Sequence, residues 1–276
     1  MKLYRAKSGI VAEKENKFYL FPIEKWEAFI NDDNLLKKVE KLVAASSARD
    51  ASLISELYPP IGDSQELWAC GVTYLRSKVG RQEESKAAGG GDFYAKVYEA
   101  ERPEVFFKST PHRVVGHNGK VNIRKDSTWD IPEPELTLVV SSSGKIVGYT
   151  IGNDMSSRSI EGENPLYLPQ AKTYDGCASL GPCIFVTDEP LDANTMISLE
   201  ISRNNKQVFE GSIGINQMKR TPEELMSFVY RACSFPNGCL IMTGTGIVPG
   251  SDFTLLSGDE IKISIDHIGT LINTVR

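Results

Sequence analysis

The chain has 276 residues, with 31 basic against 36 acidic side chains for a formal charge of −5, and is 41% hydrophobic. That balance excludes a disordered chain, and the lack of any basic block speaks against a nucleic-acid or anionic-membrane partner. The longest apolar runs, such as Leu136–Val140, fall far short of the roughly 20 residues that span a bilayer.

Lys2, Arg5 and Lys7 are not followed by the apolar core of a signal peptide, so a soluble, cytoplasmic protein is expected. The five cysteines (Cys70, Cys177, Cys183, Cys233, Cys239) are scattered and lack the close pairs of a structural zinc site. They read as reduced thiols. His112, His117 and His267 show no ligand spacing.

Residues 1–64 read as a small N-terminal α/β unit. Tyr19–Phe21 suggest a strand and Pro22 the opening of a helical stretch, with Trp26, Phe29 and Ile30, then Leu35, Val39 and Val43, at helical spacing. Tyr58-Pro-Pro-Ile-Gly62 closes the unit, and a second domain is expected over 65–276. From Glu66 the pattern changes to short β runs: Leu67–Val72, Val105–Lys108, Leu136–Val140, Ile146–Ile151, Cys183–Val186, Ile197–Ser202, Gln207–Glu210, Leu240–Thr243 and Glu260–Ile265. Thr221-Pro-Glu-Glu224 is a capping box that starts one clear helix. The fold class is α+β, mainly β.

Between them, Arg76–Ala100 is densely charged and passes through Ala87-Ala-Gly-Gly-Gly91 into a segment with Phe93, Val97 and Ala100 on one helical face and Asp92 as its cap. It reads as a solvated excursion or as a lid over a site, and the lid is the reading taken here.

Chemistry concentrates in Ile131-Pro-Glu-Pro-Glu-Leu136 and the hairpin that follows. In an extended chain Glu133 and Glu135 project to one face, and Pro132 and Pro134 place them at a strand entrance or edge. A four-residue loop at Ser141–Gly144, or a bulge with the same effect, brings Asp154 to that face, opposite Ile131; a five-residue loop or a one-residue slip points it away. The spacing alone does not choose. Converged carboxylates need a neutralising cation, and an all-oxygen set suits Mg²⁺, Mn²⁺ or Ca²⁺; unconverged, Glu133 and Glu135 are the solvated side of an edge strand.

With these residues, Lys172, Gly181-Pro182, Thr243-Gly-Thr-Gly246 and Ile268-Gly-Thr-Leu271, the chain resembles the fumarylacetoacetate hydrolase superfamily over residues 66–276. Gly152-Asn-Asp-Met-Ser-Ser-Arg158, Ile160–Lys172 and Ala100–Lys108 are similar to its pentonate dehydratase branch, which acts on acids such as 2-keto-3-deoxy-D-arabinonate. The resemblance implies a mixed β-sandwich/roll and a metal held by Glu133, Glu135 and Asp154. It further implies a homodimer or homotetramer acting on a small 2-keto acid.

The implied reaction is dehydration of a 2-keto-3-deoxy-pentonate to 2,5-dioxopentanoate through a metal-stabilised enolate. Lys172, Glu104 and Glu133 are the candidate proton carriers, and Arg158, Ser77, Arg81, Glu84, Thr245 and Thr270 the candidate substrate contacts. Hydrolase members carry a lid His and, three residues on, a Glu; Ser77 and Gly80 stand in those places, leaving no evident base to activate water. The alternatives are an acylpyruvate-type C–C hydrolase or a keto-acid decarboxylase/isomerase of the same superfamily, and a non-catalytic keto-acid-binding protein.

Overall fold

The computed structural model describes residues 1–21, 25–84 and 91–276, with backbone alone for 81–84 and 91–94. Three strands, β1 (Lys2–Ala6), β2 (Gly9–Lys14) and β3 (Lys17–Phe21), open the chain as a meander. Pro22, expected to open the next helix, lies outside the described residues. Helices α1 (Trp26–Ile30) and α2 (Leu35–Ala44) follow. Their buried Trp26, Phe29, Ile30, Leu35, Val39 and Val43 form the apolar stripe that the helical spacing predicts.

After β4 (Glu66–Gly71) come α3 (Leu75–Glu84) and α4 (Gly91–Glu99), then β5 (Glu104–Ser109), β6 (Val114–Val115), β7 (Gly119–Val121) and β8 (Asp130–Ile131). Helix α4 begins at Gly91, so Asp92 lies inside the helix it was expected to cap. The hairpin β9 (Pro134–Val140) and β10 (Ile146–Asp154) leads through β11 (Ser156–Ser157) into α5 (Arg158–Glu163) and α6 (Leu168–Lys172). The chain ends with β12 (Ala178–Val186), β13 (Met196–Arg203), β14 (Lys206–Gly214), α7 (Pro222–Tyr230), β15 (Cys239–Met242), β16 (Glu260–Ile265) and β17 (Gly269–Val275).

A large mixed sheet runs β3-β2-β1-β12-β10-β9-β15-β4-β5, with β6 added beside β12; a smaller one runs β14-β13-β16-β17-β7. One apolar core, including Leu136, Leu138, Val140, Ile151, Leu199, Ile263 and Leu271, fills the space between the two sheets. A second core joins the other face of the large sheet, including Val139, Val147, Ile184 and Leu240, to α1 and α2. The leading strands therefore extend the large sheet through the β1–β12 pair, and the leading helices cover it. This is a mixed, mainly β architecture, as the strand pattern implies.

Because β9 is buried on both faces, its sequence is a nearly continuous apolar run, as a central strand requires. Pro134 is its first residue, so the paired prolines mark a strand entrance and not an edge. The hairpin register differs from the four-residue loop. Val140 pairs with Ile146 across a five-residue loop, Ser141–Lys145, and an irregularity between Ile146 and Gly148 then shifts the register by one residue. The loop alone would turn Asp154 away; the bulge at Val147 restores the parity. Asp154 consequently lies opposite Glu133, not Ile131, and the two exchange backbone hydrogen bonds at 2.9 and 3.2 Å.

Candidate metal centre and active site

Glu133, Glu135, Thr137 and Val139 share one face of β9, and Val139 belongs to the core beneath α1 and α2. The acidic end of that face is closed over by the segment from α5 to α6, where Arg158, Glu161, Ala171 and Lys172 are buried. This segment is two short helices joined by a 3-10 turn. The large sheet also curls, so that Lys108 of edge strand β5 reaches Asp154 of β10, although β4, β15 and β9 separate the two strands.

Glu133, Glu135 and Asp154 are 4%, 1% and 1% exposed, and one oxygen from each lies within 4.8 Å of the others. Three cationic side chains surround them. Lys172 Nζ donates to Glu133 Oε2 at 2.5 Å, Asp154 Oδ2 at 3.1 Å and Ser156 Oγ at 2.5 Å. Arg158 Nη2 donates to Glu133 Oε1 at 2.6 Å, while its Nε lies 3.8 Å from Glu161 Oε2. Lys108 Nζ lies 2.6 Å from Asp154 Oδ1. Glu135 Oε2 accepts the backbone N–H of Gly244 at 2.6 Å.

These surroundings separate the carboxyl groups. Burial, then the charges of Asp154 and Glu133, push Glu135 well above the ordinary carboxylate range. Burial also acts to raise Asp154, but the Lys108 and Lys172 ammoniums outweigh it and hold that carboxyl below its ordinary value.

A small cavity lies in front of the carboxylates. Cys70, Gly71, Val72, Ser77, Phe106, Arg158, Lys172, Gly244 and Thr245 line it together with the three acids. Ser77 Oγ is engaged at the start of α3, donating to the Tyr74 carbonyl at 2.7 Å and accepting its N–H at 3.2 Å. Thr245 Oγ1 bonds both backbone groups of Ile247 at 3.2 Å. Glu104 shares its face of β5 with Phe106 and Lys108 and lies over Gly71, where an added Cβ would meet its carboxylate at 1.8 Å.

The structure does not bring Thr270 to this cavity. Its hydroxyl pairs with Ser264 at 2.8 Å in the smaller sheet, beside a different cleft formed with Lys2, His117 and Pro182. The side chains of Arg81 and Glu84 lie outside those described, as do residues 85–90 of the expected lid. Sequence reasoning missed Lys108, Ser156 and the Gly244 N–H as members of the site. Lys108 gave no signal, because a lysine at the end of Glu104-Val-Phe-Phe-Lys108 reads as a solvated residue.

A buried trio of oxygen ligands without His or Cys fits a hard divalent cation. Fold and site thus define a β-rich protein with a buried carboxylate trio, fit to hold a metal ion, inside a curled sheet. The chain belongs to the fumarylacetoacetate (FAA) hydrolase family, whose C-terminal domain matches residues 74–276.

Among relatives, it is 45% identical over 240 residues to the Haloferax volcanii "Probable 2-keto-3-deoxyxylonate dehydratase", covering 84% of this chain and 81% of that one. It is 43% identical over 239 residues to the Saccharolobus solfataricus 2-dehydro-3-deoxy-D-arabinonate dehydratase, covering 86% and 78%. Among solved structures, a 2-keto-3-deoxy-D-arabinonate dehydratase complexed with magnesium and 2,5-dioxopentanoate superposes with a TM-score of 0.84 at 36% identity, covering 100% of this chain and 99% of that one.

Proposed function

We propose that the protein is a divalent-metal-dependent hydro-lyase that converts a 2-keto-3-deoxy-pentonate to 2,5-dioxopentanoate and water. The observation that carries this reading is the Lys172 ammonium, buried and donating to two of the three acidic ligands at the wall of the cavity. The names of the two relatives and the magnesium–dioxopentanoate complex support the same chemistry.

Glu133, Glu135 and Asp154 would hold the cation, Mg²⁺ in the first instance. When bound it supplies Lewis-acid stabilisation of negative charge on the 2-keto oxygen. Lys172, kept ordered by Ser156, supplies a second positive charge on the same side and a proton that can be exchanged at C3. Arg158 fixes Glu133 and helps to orient the substrate carboxylate. Glu104, over Gly71, donates the proton with which the C4 hydroxyl leaves as water. Glu133 would take the C3 proton while the C4 hydroxyl, protonated by Glu104, leaves as water; this gives a conjugated keto acid that still carries the C5 alcohol, and return of the proton from Glu133 to Glu104 resets the pair. Transfer of a C5 proton to C3 leaves an enol at C5, and its ketonisation gives the aldehyde.

Four of the five thiols are buried, and none is in a disulfide, consistent with the cytoplasm we infer. No helix among the described residues is long and apolar enough to cross a membrane. We take the active species to be a homodimer or homotetramer, which light scattering will test.

The functional test offers 2-keto-3-deoxy-pentonates and acylpyruvates to the protein with Mg²⁺ and identifies the products by mass. Dehydration of the former is expected, with Lys172→Met reducing it by about 10²-fold or more, a magnitude typical of lost acid–base catalysis. Efficient acylpyruvate cleavage without dehydration of any keto-deoxy acid would overturn the reading.

A further inference from the structure

Two lysines enter the metal centre, and they are held in different ways. Each ammonium has three N–H donors and no acceptor. The donors of Lys172 go to the side chains of Glu133, Asp154 and Ser156. A cation bound by the acidic trio draws on the same two carboxylates, so Lys172 can exchange partners. Lys108 is 0% exposed; it donates to the Met155 carbonyl at 3.1 Å and to the Lys172 carbonyl, and its third partner is Asp154 Oδ1, with which it forms an ion pair at 2.6 Å. Two of these three are backbone atoms that no ligand displaces. They lie on either side of the site: Met155 directly follows the ligand Asp154, and Lys172 closes α6.

We infer that Lys108 is a positioning residue. It fixes the outer oxygen of Asp154 and, through the main chain, ties the end of β10 to the residue that carries the exchangeable ammonium. With its donors committed to these three partners, it does not itself carry protons in the reaction. The inference rests on the metal-centre reading above and assigns the two lysines opposite effects on metal affinity.

The sign of the metal effect decides. Plain electrostatics makes a buried cation beside a metal ligand an opponent of Mg²⁺, so its removal should tighten binding. A positioning residue does the reverse, because Asp154 and its strand end lose the group that orients them. Mg²⁺ binding is measured by titration calorimetry on the wild-type protein, Lys108→Met and Lys172→Met, with kcat determined at saturating Mg²⁺.

The expected result for Lys108→Met is an Mg²⁺ dissociation constant about 10-fold or more weaker, as for other residues that orient metal ligands, together with a reduced kcat. Lys172→Met should lose turnover while binding Mg²⁺ as tightly as the wild type or more tightly. Tighter or unchanged Mg²⁺ binding by Lys108→Met overturns the inference. A wild-type protein that binds no Mg²⁺ overturns the metal reading itself. Should Lys108→Met fail to fold, Lys108→Arg decides the matter. It keeps the charge, but its planar fork does not match two carbonyls and a carboxylate, so weaker Mg²⁺ binding is again expected. Wild-type affinity in that variant refutes positioning.

Discussion

Replacing Glu135 by Gln separates the fold's need for this side chain from the metal's. The carboxylate oxygens of the trio lie within 4.8 Å of one another. At that spacing, with an effective dielectric of about 20, each ionised pair repels by roughly 3.5 kcal/mol. Burial, and then the charges of Asp154 and Glu133, raise the pKa of Glu135 well above its ordinary value and so favour its protonated form. Glutamine is nearly isosteric with that protonated form and can still accept the Gly244 N–H. Without metal, Glu135→Gln should therefore be within about 1 kcal/mol of the wild type, or slightly more stable.

With metal the two proteins part. Mg²⁺ at 100 times its dissociation constant stabilises the wild type by about 2.7 kcal/mol. That corresponds to a rise in Tm of roughly 5–10 °C for a chain of this size. The variant, lacking one anionic ligand, should lose most of that rise along with turnover. Melting curves recorded by circular dichroism with and without Mg²⁺ provide the assay. A full Mg²⁺-dependent rise in Glu135→Gln, or a loss of more than about 2 kcal/mol in the metal-free variant, would refute the reasoning.

The raised pKa of Glu135 also sets a pH dependence. With its folded pKa raised above the ordinary 4.5, mainly by burial and then by Asp154 and Glu133, its contribution to metal-free stability is present at low pH and is lost as pH rises through the raised value. Mg²⁺ competes with a proton for Glu135, so Mg²⁺ affinity should climb with pH over the same window, with proton release seen by calorimetry in buffers of different ionisation enthalpy; a flat profile contradicts it. Gly244→Ala should lower stability by more than about 2 kcal/mol and impair metal binding. Its φ is +91°, and a Cβ there would meet Thr73 Oγ1 at 2.2 Å and the Cys70 carbonyl at 2.9 Å, so the N–H aimed at Glu135 would shift; a wild-type melting curve and Mg²⁺ affinity would count against this.

The acidic trio was legible as far as Glu133 and Glu135, because side-chain direction in a strand is a matter of parity. Asp154 was not, because its face depends on the bulge at Val147, and nothing in the residues Ile146-Val-Gly148 distinguishes a bulge from regular pairing. Strand β17 escaped for a different reason. Its inward positions are Leu271, Asn273 and Val275, and the buried Asn273 breaks the apolar alternation while its amide serves the Gly116 and Gly119 carbonyls at 3.2 Å. Strand β1 likewise lacks alternation because it is buried on both faces beside β12. Segment 155–172 concealed its helices because they are short and their inward residues, Arg158, Glu161 and Lys172, are charged. A core made of ion pairs leaves no hydrophobic period to read.

That charged lining also bears on the class of reaction. Hydrolysis needs a base poised over the cavity to take a proton from water. The residue at the place of the family's histidine, Ser77, reaches the cavity, but its hydroxyl is engaged with the Tyr74 carbonyl and N–H at the head of α3. Three residues on, Gly80 has no side chain to orient a partner. Elimination makes a smaller demand. It requires positive charge where the keto oxygen becomes negative, a proton carrier beside C3 and an acid near C4. Lys172 and Arg158 both donate to Glu133 of the carboxylate trio, Glu104 lies over Gly71 in the adjoining wall, and the roles proposed for them above call for no activated water. The same substitution that removes a water-activating base gives Ser77 a local structural duty, the capping of the helix that borders the cavity. Dehydration, as proposed above, asks only for charge and proton carriers of the kind that the described residues place at the carboxylate trio and its wall.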